Sequence, residues 1–262
     1  MSRIRQSFCL RAFWRQGVDV AALVRGAGRI GYAAVEIWDH AGEPLPLEEL
    51  VATARDAGMV VASMGGHGTL TSGLNDPRQH GRIADELAAS IELAVRHGIP
   101  NLICFSGNRE GRNDEAAVEA CAAGLRRVAP LAEQAGVNLN MELLNSRRNH
   151  PDYQADHTAW GVRVCEAVGS PRVKLLYDIY HMQIMEGDVI ATIRANIGRI
   201  GHFHTAGNPG RGPLDANQEL NYPAICRAIA ETGYTVYVAH EFWGKGEPLE
   251  MLAAAYRTCD MG

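Results

Sequence analysis

Four ionisable residues stand at or near the ends of short apolar segments in the second half of the chain. They are Glu142 in MELLN, Asp178 in YDIYH, His204 in HFH and Glu241 in HEF. An ionised group in an apolar segment costs several kcal/mol unless it is paired or bound to a metal. Three adjacent carboxylates would also repel one another and could not all stay ionised alone. The set therefore predicts a site for one divalent cation.

The residue types indicate which cations suit this predicted site. Three carboxylates and one imidazole form an oxygen-rich set, which favours Mn²⁺ or Mg²⁺ with positions open for substrate and water. Co²⁺, Fe²⁺ and Zn²⁺ remain alternatives, because imidazole also binds these ions. Each residue taken singly could belong to an ion pair in the core. Their matched positions along four successive apolar segments favour the metal.

The matched positions follow from a pattern in which short apolar runs alternate with helical periodicity eight times. The runs are apolar on both sides, as is typical of strands buried on two faces. Eight such units in 262 residues predict an α/β fold, a single (β/α)₈ TIM barrel over 1–262, with catalytic groups at the carboxyl ends of the strands. The predicted strands are 7–10, 34–38, 60–65, 101–106, 138–144, 173–179, 200–206 and 236–243.

Composition and missing motifs exclude several other classes. No glycine-rich phosphate loop follows the first predicted strand, which disfavours an open nucleotide-binding sheet. The net charge of −5 argues against a nucleic-acid partner, and no apolar run reaches the ~18 residues of a membrane span. The six cysteines form no CxxC motif and residues 1–6 precede no apolar signal region, so we expect free thiols and a cytoplasmic enzyme.

Three motifs resemble those of the hydroxypyruvate isomerase family, within the xylose isomerase-like TIM barrel superfamily of sugar isomerases and epimerases. They are MELLN at 141–145, YDIYHMQIMEGD at 177–188 and GHFHTAGNPGRGPLDANQELNY at 201–222. The resemblance covers nearly the whole chain. It implies that Glu142, Asp178, His204 and Glu241 are metal ligands.

Two positions depart from the family pattern. Hydroxypyruvate isomerases of this kind carry Gln at the position of His204, whereas the related ketose 3-epimerases carry His there. Gly207 stands where an acidic residue is usual before the NPGR motif. The motifs are therefore intermediate between two activities, and the exact substrate stays open.

The resemblance implies a metal-dependent isomerase acting on a small hydroxy-carbonyl substrate of the hydroxypyruvate or 2-oxo sugar acid class. A proton next to a carbonyl would move through a metal-bound enediolate. Glu142 and Glu241 belong to strands on opposite sides of the barrel mouth, so we expect them to be the acid/base pair. His181 is expected to donate to a substrate oxygen, and Arg211 to bind a substrate carboxylate or distal hydroxyls with its forked guanidinium.

Weaker candidates lie at other strand ends. Glu36 and His67 are expected to line the pocket and contact substrate, although a structural hydrogen bond is nearly as good an interpretation. His202 is expected to face outward between strand and helices, or to pair with a neighbour. Trp38 and Trp243 could form an apolar wall of the pocket or simply pack.

Alternative functions remain at this point. A ketose 3-epimerase, or a lyase or dehydratase acting on oxidised sugars, would use the same metal site and the same first proton abstraction. An apurinic endonuclease is disfavoured because the fourth predicted strand leads into Phe105-Ser106-Gly107, which offers no further metal ligand. A non-enzymatic binding barrel would not need both Glu142 and Glu241. The expected partner is a small molecule, and a homo-oligomer stays open.

Overall fold

The computed structural model describes residues 4–15, 17–39 and 44–261. Residues 1–3, which belong to the N-terminal stretch considered for a secretory signal, lie outside this range. Eight strands alternate with helices along the described residues. The strands are β1 (Arg5–Phe8), β2 (Ala34–Glu36), β3 (Val60–Gly65), β4 (Asn101–Cys104), β5 (Asn138–Glu142), β6 (Val173–Asp178), β7 (Ile200–Thr205) and β8 (Tyr237–His240).

The helices follow the strands in the order that a barrel requires. Two single 3₁₀ turns, Pro77–Gln79 and Ile197–Arg199, precede α4 and β7. The α-helices within the described ranges are α1 (Leu10–Phe13), α2 (Val20–Ile30), α3 (Leu47–Asp56), α4 (His80–His97), α5 (Asp114–Arg126), α6 (Ala129–Ala135), α7 (Thr158–Val168), α8 (Ile179–Met185), α9 (Val189–Asn196), α10 (Tyr222–Glu231) and α11 (Pro248–Cys259).

The eight strands form one parallel sheet that nearly closes on itself. Its order is β1-β8-β7-β6-β5-β4-β3-β2. The remaining edges, β1 and β2, meet where the Ala33 N–H donates to the Gln6 carbonyl at 2.9 Å and where Cys9 bridges Glu36. The predicted (β/α)₈ barrel is thereby confirmed. A single domain over 1–262 stays a prediction.

Local chemistry sets several of the element boundaries. Asn113 begins α5 by accepting a hydrogen bond from the Ala116 N–H at 2.8 Å, and Gly136 ends α6 in the left-handed conformation at φ 72°. Helical periodicity in the sequence continues over 115–135, but the structure has two helices there, α5 and α6. Pro130 lies in the first turn of α6, where its missing N–H is tolerated, and the chain breaks into α5 and α6 there.

The end of β6 also differs from the expectation in a way that positions the site. The predicted strand 173–179 ends at Asp178, because the Asp178 carboxylate accepts the His181 N–H at 3.0 Å and starts α8. This short buried helix turns the chain sharply, so His181 lies beside Asp178 instead of further along a strand.

Apolar side chains fill the interior around the barrel strands. All six cysteines are buried free thiols, as expected. Phe13 packs edge-on against Phe8 and Phe242, which ties α1 to β1 and to the end of β8. None of the helices among the described residues combines the length and the hydropathy needed to cross a bilayer.

Candidate active site

Four side chains converge where β5, β6, β7 and β8 end. They are Glu142, Asp178, His204 and Glu241, and all are buried. One oxygen or nitrogen atom from each lies within 4.8 Å of the corresponding atoms of the others. Parallel strands carry their carboxyl ends to one face of a barrel, so residues far apart in sequence meet there. The structure therefore brings together the four residues predicted as metal ligands.

His204 faces the three carboxylates with one nitrogen and a fourth carboxylate with the other. Its Nδ1 lies 3.3 Å from Glu142 Oε1, 3.2 Å from Glu241 Oε2 and 4.0 Å from Asp178 Oδ2. Its Nε2 lies 2.7 Å from Glu36 Oε1. A carboxylate behind one ring nitrogen favours a proton there and leaves the other nitrogen's lone pair free, the usual arrangement of metal-binding histidines.

Glu36 occupies a different place from the one expected. It is fully buried, does not appear among the cavity-lining residues, and directs Oε2 to His202 Nε2 at 2.6 Å while Oε1 faces His204. His202 therefore points inward and pairs with Glu36, instead of lying between strand and helices. This geometry gives Glu36 contact with two histidines in place of the expected contact with substrate.

Burial and charge act against each other throughout the cluster. Burial raises the pKa of Glu142 and of Asp178, and the nearby positive charges only partly oppose it. Burial also acts to raise the pKa of Glu241, but Arg211 and His204 outweigh it and leave this pKa lowered. Burial would lower the pKa of His204, yet Glu36 and Glu241 raise it well above its usual value. The carboxylates thus dominate the electrostatic field of the cluster.

The donor set fits a divalent cation. His204 Nδ1 is buried and has no hydrogen-bond partner among the described residues, although three carboxylates surround it. Three carboxylate groups and one imidazole suit Mn²⁺ or Mg²⁺, and imidazole also admits Fe²⁺, Co²⁺ or Zn²⁺. The cation and its identity stay a prediction.

Arg211 brings a positive charge to the same place. Its guanidinium donates to Glu241 and lies 3.6 Å from Asp178 Oδ2. The guanidinium carbon lies 4.8 Å from the centre of the Trp243 ring and 5.7 Å from that of Tyr180. Aromatic faces favour a cation over them, so the two rings fix the guanidinium at the cavity wall.

Backbone amides determine the protonation of two further histidines. The Asn145 N–H donates to His181 Nδ1 at 3.1 Å, so a neutral His181 carries its proton on Nε2, which lies 3.6 Å from Asp178 Oδ2. The Phe105 N–H donates to His67 Nε2 at 2.9 Å, which places the His67 proton on Nδ1. Burial lowers the pKa of both residues, that of His67 to about 4. Both rings are therefore neutral hydrogen-bond donors at pH 7.

His150 is a site residue that sequence reasoning missed. It lines the cavity, its ring centre lies 5.2 Å from that of His181, and its Nε2 is buried without a hydrogen-bond partner in the described part of the chain. His150 belongs to the loop after β5. Its only sequence signal is a histidine near Arg147 and Arg148, and loop conformation cannot be inferred from that.

One cavity of about 740 Å³ is lined by Glu142, His204 and Glu241 of the cluster and extends well beyond them. We call one end the carboxylate half, defined by Glu142, His150, His204, Arg211 and Glu241. His67 lies on the cavity wall as well, whereas His181 is fully buried beside it. The other end is the distal half, defined by Leu70, Leu93, Ile103 and Phe105. Trp38 also lines the cavity, and its ring centre lies 6.2 Å from that of Trp243, the ring beneath the Arg211 guanidinium.

Comparison with known proteins gives this barrel a family. Residues 24–259 match the family described as the xylose isomerase-like TIM barrel. The chain belongs to that family. The family is described as a TIM barrel, which agrees with the independent observation of the fold.

Relatives within the family are isomerases and epimerases. The chain is 29% identical over 264 residues to a Homo sapiens protein named "Putative hydroxypyruvate isomerase", covering 97% of this chain and 94% of that protein. It is 35% identical over 114 residues to the 2-oxo-tetronate isomerase of Cupriavidus necator, covering 44% and 43% of the two chains. The predicted membership of this superfamily and the predicted class of enzyme, an isomerase, are confirmed.

A solved structure supports the fold across the whole length. The D-psicose 3-epimerase of Clostridium cellulolyticum H10, crystallised with D-tagatose, superposes with a TM-score of 0.81 and covers 98% of each chain. Its sequence identity is 19%, so this likeness concerns the fold alone.

Proposed function

We propose that the protein is a metal-dependent isomerase that interconverts a 2-oxo-3-hydroxy acid with its 3-oxo-2-hydroxy isomer. The observation that carries this proposal is the pair Glu142 and Glu241, whose oxygens approach His204 Nδ1 at 3.3 and 3.2 Å from different strands. Two carboxylates that face one point can remove a proton from one carbon and return it to the next. The names of the relatives support an acid substrate, since hydroxypyruvate and 2-oxo-tetronate both carry a carboxylate beside a carbonyl.

Glu142, Asp178, His204 and Glu241 would hold the divalent cation of such an enzyme, with Mn²⁺ or Mg²⁺ as the expected ion. Bound there, the cation would act as a Lewis acid toward the oxygens of the reacting carbons. Glu36 and His202 support this arrangement from behind, because Glu36 keeps His204 oriented with Nδ1 toward the carboxylates.

The remaining polar groups fit a small acid. Arg211 is the cation at the carboxylate half, and a guanidinium binds a carboxylate through two parallel hydrogen bonds. His181 would supply its Nε2 proton to a substrate oxygen on which negative charge develops, beside Asp178. His150 adds a second nitrogen on the same wall, close to His181. Burial and the Arg211 charge lower the pKa of His150, so a neutral ring would meet the substrate.

A ketose 3-epimerase is the second candidate. His204 supports it, because the motif resemblance places histidine at this position in the epimerases. Arg211 favours the acid substrate instead, because a neutral ketose has no carboxylate that the guanidinium could bind. The guanidinium lies beside Asp178 and Glu241.

The decisive experiment combines metal analysis with proton exchange. We expect purified protein to contain about one divalent ion per chain, the number that one set of four ligands would hold. In D₂O, hydroxypyruvate and 2-oxo-tetronate should gain deuterium at C3 and form their 3-oxo isomers. Proton NMR measures both changes. A chelator should remove the ion and the exchange together, and Mn²⁺ or Mg²⁺ should restore both.

Other outcomes would contradict the proposal. Exchange confined to C3 of neutral ketoses would indicate the epimerase, and release of water from an oxidised sugar would indicate a dehydratase. Full activity in protein that contains no metal would overturn the metal-dependent mechanism.

A further inference from the structure

The distal half of the cavity lies beyond the groups that the proposed reaction uses. We propose that the substrate is a 2-oxo-3-hydroxy acid whose C3 carries an uncharged, largely apolar substituent, such as an alkyl or benzyl group, which occupies the distal half. This inference rests on the proposed function and specifies its substrate class.

The size of the cavity is the first argument. Its volume of about 740 Å³ falls within the range of pockets that enclose drug-sized ligands. Hydroxypyruvate and 2-oxo-tetronate have fewer than about ten non-hydrogen atoms, well below the drug-sized ligands that such pockets enclose. Either acid could occupy the carboxylate half and leave the distal half to water.

The composition of the distal wall is the second argument. Leu70, Leu93, Ile103 and Phe105 present aliphatic and aromatic side chains to the cavity. From α4 the lining takes positions 86, 89, 90, 92, 93 and 96, and the recurring spacings of three and four place them along one side of the helix. That face extends about 15 Å at about 1.5 Å per residue. The wall is therefore long enough for a substituent of several carbons.

The charges near this wall exclude a second anionic group. Outside the carboxylate half, Asp39, Glu86 and Glu92 line the cavity, whereas Arg96 is the cation that lines it there among the described residues. Glu86 is already engaged, since it pairs with Arg82 at 2.8 Å and accepts the Gly68 N–H at 2.9 Å. An excess of acids disfavours a phosphate, so the substituent is uncharged and the only anionic end lies at Arg211.

His67 adds one polar contact between the two halves. Its side chain is buried, its Nδ1 carries the proton, and this atom has no hydrogen-bond partner in the ranges that the structure describes. Phe105 packs edge-on against the ring, with 5.6 Å between the centres. One N–H in an apolar wall fits a single hydroxyl or carbonyl oxygen near the reacting carbons.

The reaction leaves the substituent R unchanged. R–CH(OH)–CO–COO⁻ becomes R–CO–CH(OH)–COO⁻ when the C3–H bond breaks, a C2–H bond forms and the hydroxyl proton passes from the C3 oxygen to the C2 oxygen. Atoms and electrons balance without an oxidant or reductant. R therefore affects binding in the distal half and not the chemistry.

A substrate series tests the inference. Isomerisation is measured with R as hydrogen in hydroxypyruvate, as hydroxymethyl in 2-oxo-tetronate, and as benzyl in 3-hydroxy-2-oxo-4-phenylbutanoate. Because burying an aromatic side chain contributes about 1.5 to 3 kcal/mol, kcat/KM should rise about 10- to 100-fold from hydroxymethyl to benzyl. The Leu93→Asp variant should reduce the benzyl-to-hydroxymethyl ratio about 10-fold, since one charge enters the apolar wall.

The control is Val95→Asp, which introduces the same charge on the same helix at a side chain that is 56% exposed and does not line the cavity. Its ratio should equal that of the wild type. If both small acids react and the benzyl substrate reacts no better, the inference is overturned and the proposed function stands. An unchanged ratio in Leu93→Asp would also overturn it. If none of the three acids exchanges C3 protons, the proposed function and the inference fall together.

Discussion

His204 and His67 are both buried histidines on the wall of one cavity, yet their surroundings shift their pKa values in opposite directions. Burial acts to lower both, because it disfavours the charged ring. In the carboxylate half, Glu36 and Glu241 overcome burial and raise the pKa of His204. Beside the distal half, burial prevails and the pKa of His67 falls to about 4. The same side chain thus serves two kinds of chemistry according to its neighbours.

The two halves also differ in how their polar groups are satisfied. Near the carboxylates, charged groups lie beside one another, as Arg211 does beside Glu241 and Asp178. Beside the distal half, a neutral backbone amide donates to His67 Nε2, and Phe105 packs edge-on against the ring. One end is therefore suited to stabilising charge as it develops, and the other to holding an uncharged group.

The largest expected effect follows from removing one carboxylate from the carboxylate half. Glu142→Gln or Glu241→Gln should reduce C3 proton exchange about 10³-fold or more, since general acid–base groups contribute about 10² to 10⁴ and the charge near the cation is lost as well. Exchange of hydroxypyruvate protons in D₂O is the measurement. Wild-type exchange in either variant would remove that residue from the proton-transfer role.

Folding must be monitored in the same variants. Glu142→Gln should leave the melting temperature unchanged or raise it, because burial already raises the pKa of this carboxyl. Glu241→Gln should lower it, because the Arg211 guanidinium loses the charge of its partner. Glu133→Gln, at an exposed position on α6, is the matched control and should retain full exchange. A large loss of melting temperature in Glu142→Gln would assign that carboxylate a structural role instead.

An intermediate effect, on metal binding, is expected from changing Glu36, which lies behind the cluster. Glu36→Gln removes the charge that faces His204 Nε2, so the imidazole loses its preferred proton position and orientation. Binding of Mn²⁺, measured by calorimetry on the metal-free protein, should weaken about 10- to 100-fold. Glu86→Gln, whose carboxylate pairs with Arg82 away from the cluster, should bind Mn²⁺ as the wild type does. Equal affinity in both variants would show that Glu36 does not position His204.

The carboxylate half could be predicted from sequence to a greater extent than the distal half. Acids placed at the ends of apolar runs identified Glu142 and Asp178, because strand periodicity and the shared face of a barrel determine where such residues meet. His150 was missed because it lies in a loop, whose path depends on tertiary contacts with His181 and Tyr153. The role of Glu36 was missed because it depends on a contact across the barrel with His202.

The distal wall had no sequence signal at all. Leu93 follows ordinary helical periodicity, and Ile103 lies in an ordinary buried strand. Only the three-dimensional arrangement shows that both line a cavity rather than a closed core. Apolar residues have the same appearance in sequence whether they contact protein or ligand, whereas a buried carboxylate needs a partner and therefore stands out.

The smallest expected effect concerns the stability contributed at His67. A folded-state pKa of about 4, against 6.5 for an ordinary histidine, means that the unfolded chain binds this proton more readily than the folded protein does. Stability from this residue is therefore present above about pH 6.5 and is lost as the pH falls toward 4. Between pH 7 and pH 5 the expected loss is about 2 kcal/mol in the free energy of unfolding.

Urea unfolding at pH 7 and pH 5 measures that loss, with His67→Gln as the variant. Glutamine offers a carbonyl oxygen to the Phe105 N–H but does not titrate, so the variant should lose about 2 kcal/mol less than the wild type on acidification. If His67→Gln loses as much stability on acidification as the wild type does, His67 takes up its proton in the folded state. The wall beside the distal half would then carry a positive charge, and the contrast with the carboxylate half would no longer hold.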